Sequence, residues 1–312
     1  MLLYQPSPGH LKNLRHIGYG WKIKATTDKQ KAFNEIMDAE VVLGNHFLVE
    51  VLPNAQHLRW LQSASAGVDY IIKQDTGILQ NAIFTNAKGV YDTELSEHAL
   101  ALIFSLCRNL HLLRDKQNEK IWLRQQQLDT IAGKKVIILG WGSLGKSIGY
   151  KLKMLGASIN AVRNAAEDLR EDGITVWGKN NWQKELPSTN ILLLSLPLTK
   201  ETNNLVTHEI LEMLPPDAIV INIGRAATLD EAALFYLLKT KRLRGAALDV
   251  FLQEPLAADH PAWEIENLII TPHTARSNEQ PPYRYEQLFE TNFKRYVDGE
   301  PLLNIVDIQK GY

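Results

Sequence analysis

The stretch that decides the fold is KKVIILGWGSLGKSIGYKLKMLGASINAV, residues 134–162. It opens with a short, continuous apolar run, Val136–Leu139, of the kind found in strands buried on both faces. A glycine-rich turn follows, then a segment that predicts a helix, and then a second strand candidate, Ser158–Val162. Strand, turn, helix and strand in this order form a βαβ unit, so the stretch predicts a parallel sheet covered by helices.

The turn itself contains Gly140, Gly142 and Gly145, which gives the spacing GxGxxG. The first glycine permits a tight turn, the second lets the backbone approach a pyrophosphate, and the third permits close packing of helix and strand. The helix that follows offers free N–H groups and a positive dipole end to phosphates. Glycines also serve ordinary tight turns, but this position between strand and helix favours a dinucleotide-binding turn.

The composition of the 312-residue chain excludes several functional classes. Hydrophobic residues make up 45% and charged residues 22%, which is typical of a folded protein, and the length predicts two domains of about 150 residues. The net charge of −1 gives no global attraction to nucleic acid or to an anionic membrane. The single cysteine, Cys107, excludes an intramolecular disulfide, and we interpret it as a buried apolar side chain; no metal site is predicted. The N-terminal residues do not resemble a secretory signal, so we expect a cytoplasmic protein.

Short apolar runs alternate with helical patterns along the rest of the chain, which predicts an α/β protein. A long helical pattern covers 93–112. The sequence TLDE at 228–231 has the spacing of a capping box and predicts a helix that begins at Thr228. The other strand candidates are Met1–Tyr4, Val41–Gly44, Trp60–Ser63, Ile83–Asn86, Ile174–Trp177, Asn190–Leu196, Ala218–Ile223, Gly245–Val250 and Leu268–Thr271.

Three of these strands are followed by polar residues, at the edge where open parallel sheets bind ligands. Arg225 follows the first, Asp249 ends the second with Glu254 beyond it, and His273 follows the third. Each residue taken alone is typical of a solvated loop, a turn or a structural histidine. Together they supply a cation for an anionic substrate, an acid/base group and a carboxylate beside it, which favours an active site downstream of the dinucleotide turn.

Seven motifs occur in order along the chain: SASAGVD (63–69), SEHALALIFSLCRN (96–109), GWGSLGKSIG (140–149), LSLPLTKETNNLV (194–206), INIGRAATLDEAAL (221–234), LDVFLQEP (248–255) and TPHTA (271–275). In these motifs the chain resembles the D-isomer-specific 2-hydroxyacid dehydrogenases, which include glyoxylate/hydroxypyruvate reductases and phosphoglycerate dehydrogenases. The resemblance covers most of the chain. It implies an α/β fold of two Rossmann-like lobes with parallel sheets and an active site in the cleft between them. The dinucleotide-binding domain, 99–285, would be inserted into a discontinuous substrate-binding domain, 1–98 and 286–312.

The resemblance also implies the catalytic roles. His273 is the acid/base that gives a proton to the substrate carbonyl during reduction, and Glu254 pairs with it and favours its protonated form. Arg225 binds and polarises a 2-oxo acid. The backbone N–H groups around Ala66 and Gly67 hold the substrate carboxylate.

The implied cofactor is a nicotinamide dinucleotide. NAD-binding folds carry an acidic residue about 20 residues beyond the glycine turn, but here the second strand ends at Arg163. An arginine suits the 2′-phosphate of NADP(H), so NADP(H) is favoured and NAD(H) is possible, with Arg163 then covering adenine or facing solvent. Asp249 matches the contact to the nicotinamide carboxamide. The full set of predicted cofactor contacts is Gly140, Gly142, Ser143, Leu144, Gly145, Arg163, Leu196, Pro197, Ile223 and Asp249.

The predicted reaction is reduction of a small 2-oxo acid such as glyoxylate or hydroxypyruvate. Phosphoglycerate or D-lactate dehydrogenase activity is the alternative within the family, and the end of the chain at Tyr312 disfavours the phosphoglycerate enzymes that carry an additional regulatory domain. A nucleotide-sensing protein like the related corepressors ranks lower. The resemblance implies a homodimer. Arg276 is either a selectivity contact or a surface residue, and His98 is interpreted as a helix-packing residue.

Overall fold

The computed structural model describes residues 1–75, 77–124, 128–165, 167–179, 181–276 and 283–312. Its helices are α1 (Pro8–Ile17), α2 (Lys29–Glu35), α3 (Leu48–Val51), α4 (Asp69–Lys73), α5 (Asp92–Cys107), α6 (Leu110–Asn118), α7 (Ser143–Met154), α8 (His208–Glu212), α9 (Glu231–Lys239) and α10 (Tyr283–Val297). Its strands are β1 (Val41–Leu43), β2 (Trp60–Gln62), β3 (Ile83–Thr85), β4 (Lys135–Leu139), β5 (Ser158–Val162), β6 (Leu169–Glu171), β7 (Ile174–Trp177), β8 (Ile191–Leu194), β9 (Ile219–Asn222), β10 (Gly245–Leu248) and β11 (Leu268–Ile270).

The chain forms two compact units, one of Met1–Tyr91 with Asn278–Tyr312 and one of Asp92–Ser277. Both are α/β, and the second is inserted into the sequence of the first, which confirms the predicted fold class. The first boundary differs from the predicted 98/99 because α5 is continuous from Asp92, and a boundary at 98 would cut it. The predicted second boundary, 285/286, falls within α10, whereas the observed boundary falls in 277–282, outside the described residues.

The discontinuous unit contains a three-stranded parallel sheet in the order β1-β2-β3. Strands β1 and β2 are buried along their full length, as expected for parallel strands that are covered on both faces. The strand predicted at Met1–Tyr4 is wrong in extent. Only isolated bridges from Leu2 to Ala25 and to Leu43 form there.

The inserted unit contains an eight-stranded sheet in the order β11-β10-β9-β8-β4-β5-β7-β6 among the described residues. The chain moves from β4 to β5 on one side and later returns to β8 on the other, so the carboxyl ends of β4 and β8 form a topological switch point. Every pair is parallel except β6 with β7. That hairpin turns at Asp172 and Gly173, both with positive φ, a combination typical of a two-residue hairpin turn.

Two helix boundaries differ from the predictions. The helical pattern at 93–112 is interrupted because Asn109 has a φ of 52°, and α6 begins after it. The helix predicted to begin at Thr228 begins at Glu231, since Asp230 and not Thr228 caps it, accepting from the Ala233 N–H at 2.9 Å. In the described part of the chain, no helix has the length and apolar character needed to cross a bilayer.

Candidate active site

The glycine turn at the end of β4 is packed so tightly that two of its glycines have no room for a side chain. Gly140 has a φ of 103°, and a Cβ on it would lie 2.8 Å from the Ser195 carbonyl oxygen. A Cβ on Gly145 would lie 2.0 Å from the Gly140 carbonyl oxygen. These two glycines therefore let helix α7 start directly against the ends of β4 and β8.

Gly142 is different, because a Cβ there would meet nothing within 4 Å. It occupies the N-cap position of α7, and a glycine has no side chain that could accept from the first N–H groups of the helix. Ser143 and half-buried Leu144 open that helix, and the Ser143 hydroxyl lies 3.4 Å from Asp92 Oδ1. An open face, uncapped N–H groups and a positive dipole end fit the pyrophosphate of a dinucleotide.

Arg163 is the first residue after β5, and its side chain is exposed. Its backbone N–H donates to the Trp177 carbonyl at 3.0 Å, which fixes the strand end on which it lies. The structure thus places a cation at the position where NAD-binding folds carry a carboxylate.

The ends of β8 and β9 meet through Gly224. A Cβ on Gly224 would lie 2.8 Å from the carbonyl oxygen of Leu196 and 2.9 Å from the backbone nitrogen of Leu196, so a glycine is needed there. Ile223, directly after β9, is buried, and Leu196 and Pro197, which follow β8, are half-buried. The close approach packs the residues after β8 against those after β9 at the carboxyl edge of the sheet, beside the switch point.

Arg225 follows this contact and is half-buried. Its carbonyl oxygen accepts from the Thr228 hydroxyl at 2.7 Å and from the Asn222 side-chain amide at 3.2 Å, which holds the backbone of the arginine in place. Its guanidinium Nη1 donates to the Gly224 carbonyl at 3.1 Å. These three bonds therefore fix the backbone and the guanidinium of Arg225 at the carboxyl end of β9.

His273 and Glu254 form a direct pair, with His273 Nδ1 2.8 Å from Glu254 Oε2. The other carboxylate oxygen accepts from the Phe251 N–H at 2.9 Å, so the carboxylate is fixed at both oxygens. The His273 side chain remains 54% exposed. Since Nδ1 is engaged by the carboxylate, Nε2 is the ring atom that is free to exchange a proton with a ligand.

Asp249 is the centre of the turn that carries His273. Its side chain is 2% exposed, and Oδ1 accepts from the Thr271 hydroxyl at 2.6 Å and from the Thr274 N–H at 3.0 Å. Oδ2 accepts from the Ala275 N–H at 3.2 Å, and the Asp249 carbonyl accepts from the His273 N–H at 2.8 Å. These bonds hold His273 at a φ of 52°, a left-handed conformation that needs support from its surroundings.

Sequence reasoning missed this hub and treated Asp249 only as a cofactor contact. His98, which the sequence predicts to be a helix-packing residue, joins this network, with Nε2 3.1 Å from Thr271 Oγ1 and 3.5 Å from Asp249 Oδ1. Because the Thr271 hydroxyl has one proton and gives it to the carboxylate, it accepts from the histidine. The sequence contained one signal for this network: Asp249 lies at the end of a predicted strand, and His273 follows another predicted strand at the same edge of the sheet.

Glu231 is a second carboxyl group that the sequence did not single out as functional. It is 7% exposed, and its Oε1 accepts from the Leu252 N–H at 2.7 Å, in the loop that leads to Glu254. Burial, and secondarily the charge of Glu254, raise the pKa of Glu231. Its hydrogen bond anchors the start of the loop that presents Glu254.

In the discontinuous unit, Ala66 and Gly67 lie in a turn beyond β2. The Ala66 carbonyl accepts from the Asn86 side chain at 2.9 Å. Asn45 holds the two preceding residues, since its Oδ1 accepts from the Ala64 N–H at 2.8 Å and its Nδ2 donates to the Ser65 hydroxyl at 2.8 Å. Within the described residues, no chain group accepts from the N–H groups of Ala66 and Gly67. The turn therefore presents two fixed N–H groups, which suits recognition of an anion.

Within the inserted unit, the structure brings His273 into contact with Glu254 and places Arg225 at the same edge of the sheet, after β9, with β10 between it and the strand that precedes His273. Arg276 is half-buried three residues beyond His273. Cys107 is buried, and burial raises the pKa of its thiol, which agrees with an apolar role. The described residues contain no cluster of three or more His, Cys, Asp or Glu side chains that could hold a metal ion.

The chain matches the family model described as "D-isomer specific 2-hydroxyacid dehydrogenase, NAD binding domain" over residues 100–275. It belongs to the family of D-isomer specific 2-hydroxyacid dehydrogenases. It is therefore an NAD(P)-dependent oxidoreductase with a nicotinamide dinucleotide as cofactor, of a family that acts on small 2-hydroxy and 2-oxo acids.

Similar proteins cover nearly the whole chain. The structure of a D-isomer specific 2-hydroxyacid dehydrogenase family protein from Aeromonas salmonicida is 31% identical, with a TM-score of 0.86 and 98% of each chain covered. A D-isomer specific 2-hydroxyacid dehydrogenase from Xanthobacter autotrophicus, solved in complex with NADPH and MES, is 25% identical, with a TM-score of 0.83 and coverage of 100% of this chain and 98% of that one. A glyoxylate reductase from Korarchaeum cryptofilum is 27% identical over 92% of this chain and 88% of its own length.

Proposed function

We propose that the protein reduces a small 2-oxo acid, such as glyoxylate or hydroxypyruvate, to the 2-hydroxy acid. The observation that carries this proposal is the pair of His273 Nδ1 and Glu254 Oε2 at 2.8 Å, on the same sheet edge as Arg225. An acid/base group oriented by a carboxylate beside a fixed cation is the set of groups that reduction of an anionic ketone needs. The glyoxylate reductase among the similar proteins supports a substrate of this size.

His273 is the proton donor in this reaction. Its Nδ1–H remains bonded to Glu254, so the proton leaves from Nε2 and goes to the substrate carbonyl oxygen as that oxygen gains negative charge. The ring ends neutral and Glu254 stays ionised, as expected for a carboxylate that orients an imidazole without taking its proton. A nicotinamide dinucleotide, when bound, would supply the hydride, and this proton would complete the two-electron reduction.

Arg225 binds the carboxylate and the carbonyl oxygen of the substrate with its planar guanidinium and stabilises the developing charge. In the discontinuous unit, the turn at Ala66 and Gly67 offers backbone N–H groups held by the Asn86 bond, which supports its predicted role in recognition of a carboxylate. At Arg225, the bond from Thr228 holds the backbone and the bond from Nη1 to the Gly224 carbonyl holds the guanidinium. Fixed donors act without the reorganisation that water would need.

NADP(H) is the preferred cofactor, and Arg163 binds its 2′-phosphate. The exposed Arg163 at the end of β5 supports this choice, because a guanidinium forms charge-assisted bonds with phosphate and cannot accept from a ribose hydroxyl. The Xanthobacter structure solved with NADPH is in agreement.

The experiment is a panel of 2-oxo acids assayed with both NADPH and NADH. Glyoxylate and hydroxypyruvate should give the highest kcat/KM, and pyruvate and phosphohydroxypyruvate test the D-lactate and phosphoglycerate alternatives. Arg163→Ala should lower kcat/KM for NADPH and leave that for NADH nearly unchanged. A wild-type preference for NADH, or an NADPH preference that Arg163→Ala does not alter, would contradict the role of Arg163.

A cytoplasmic homodimer completes the proposal. Large apolar side chains are exposed along the segment from α5 to the residues after α6, including Phe104, Leu110 and Trp122, the last 86% exposed. Sedimentation at micromolar concentration should give about twice the 35.3 kDa mass of the chain. A monomer under those conditions would contradict the dimer.

A further inference from the structure

Three loops beyond the inserted sheet are joined by the carboxylate of Glu201. Its Oε2 accepts from the Asn164 side-chain amide at 2.8 Å, and its Oε1 lies 3.1 Å from Lys179 Nζ. Glu201 follows β8, Asn164 follows β5 and Lys179 follows β7. Since β4 lies between β8 and β5, the carboxylate reaches past the strand that carries the glycine turn.

Lys179 and Arg163 lie on neighbouring loops. The Arg163 N–H donates to the Trp177 carbonyl at 3.0 Å, and the Lys179 N–H donates to the Ala165 carbonyl at 3.3 Å. These two bonds align the residues after β5 with the residues after β7. The alignment places the lysine beside the strand end that carries the arginine, and both side chains are exposed.

The ion pair between Lys179 and Glu201 is weak enough for another anion to replace Glu201. The two side chains are 51% and 57% exposed, and an ion pair at such a surface contributes little free energy. A phosphate dianion carries more charge than one carboxylate and offers more acceptor oxygens, so it competes well for the same ammonium group.

We propose that Lys179 is a second cation for the 2′-phosphate of NADP(H), and that Glu201 limits its availability. This inference rests on the proposed NADP(H) preference and adds two residues to it. Lys179 strengthens binding of the 2′-phosphorylated nucleotide, whereas Glu201 weakens it by neutralising the lysine. The pair therefore sets how strongly the enzyme discriminates between the two nicotinamide cofactors.

The test is equilibrium binding of adenosine 2′,5′-bisphosphate and of 5′-AMP, two nucleotides that differ by the 2′-phosphate, measured by calorimetry without substrate. Lys179→Ala should raise the Kd of the bisphosphate about tenfold and leave that of 5′-AMP unchanged. Glu201→Gln should lower the Kd of the bisphosphate about threefold. The double variant should bind like Lys179→Ala, because Glu201 acts through the lysine.

Lys239→Ala is the matched control, since Lys239 is also exposed but ends α9, which leads to the amino end of β10 at the opposite edge of the sheet. It should leave both Kd values unchanged. An equal effect of Lys179→Ala on both nucleotides, or none on either, would overturn the inference.

A wild type that binds the two nucleotides equally would count against the proposed NADPH preference. Glu201→Gln then decides the inference separately. A gain of selectivity for the bisphosphate that disappears in the double variant supports it, and no gain overturns it.

Discussion

The glycine turn after β4 and the His273 turn after β11 lie at the same edge of one sheet but differ in construction. The glycine turn is made of backbone, and the absence of side chains at Gly140 and Gly145 permits its packing. The His273 turn is made of side chains, and the buried Asp249 carboxylate holds it. A backbone site is specified locally, whereas a side-chain site depends on partners that are distant in sequence.

The largest expected effect is at the reacting group. His273→Ala removes the proposed proton donor and should lower kcat by about 10²- to 10⁴-fold. The Kd of the cofactor should remain near that of the wild type, because the glycine turn is built from different residues. Near-normal turnover in a correctly folded variant would show that His273 is not the donor.

Arg225→Lys tests whether the cation must be planar. The charge is kept but the two-pronged geometry is lost, so kcat/KM for 2-oxo acids should fall by about 10²- to 10³-fold. Arg170→Lys, at an exposed position in β6, is the control and should change nothing. If kcat/KM is unaffected by Arg225→Lys, the arginine does not contact the substrate.

The glycine turn itself offers a matched pair of variants. Gly142→Ala should fold normally, since its Cβ meets no neighbour. It should nevertheless raise the Kd of the cofactor by about tenfold or more, because the methyl group would enter the proposed pyrophosphate site. Gly145→Ala should instead lower Tm, because its Cβ would lie 2.0 Å from a backbone oxygen. Equal changes in Kd and Tm for the two variants would contradict the assignment of Gly142 as an open position and Gly145 as a packed one.

Thr271→Val and Thr271→Ser test the network beneath His273. Valine keeps the shape but leaves the Asp249 carboxylate without one donor, so kcat should fall by about tenfold while KM for the cofactor is unchanged. Serine restores the hydroxyl and should restore kcat. A rise in KM for the cofactor with unchanged kcat would instead favour Asp249 acting as a cofactor contact alone.

The smallest effect concerns Glu231. Its folded-state pKa is raised above the ordinary value of 4.5, so the folded state holds this proton more tightly than the unfolded state does. Its contribution to the free energy of unfolding is full below that ordinary value and is lost as pH rises through the folded-state pKa. Glu231→Gln should therefore reduce the loss of stability on going from pH 4.5 to pH 7, measured by denaturant unfolding at the two pH values. An unchanged pH dependence would contradict this.

The glycine turn and strands β4 and β5 could be predicted because their signals are local. The hairpin at Asp172 and Gly173 was missed although its turn signal was present, because three-residue strands such as β6 give almost no periodic pattern. The Asp249 hub could not be predicted by pattern, since Thr271 lies 22 residues away and is joined to it only by the pairing of β10 with β11. Likewise Thr228 and Asp230 both fit a helix cap, and the bond of Thr228 to the Arg225 carbonyl decides between them.

The burial of Cys107 makes the protein convenient for fluorescence spectroscopy. The single thiol of the chain is 3% exposed, and because its pKa is raised it stays protonated at neutral pH and reacts slowly with maleimide dyes. A cysteine introduced at exposed Lys12 in α1 and another at exposed Lys239 in α9 would therefore be labelled without removal of the native one. Energy transfer between the two dyes would then measure the distance between the two labelled positions in solution, with and without added cofactor.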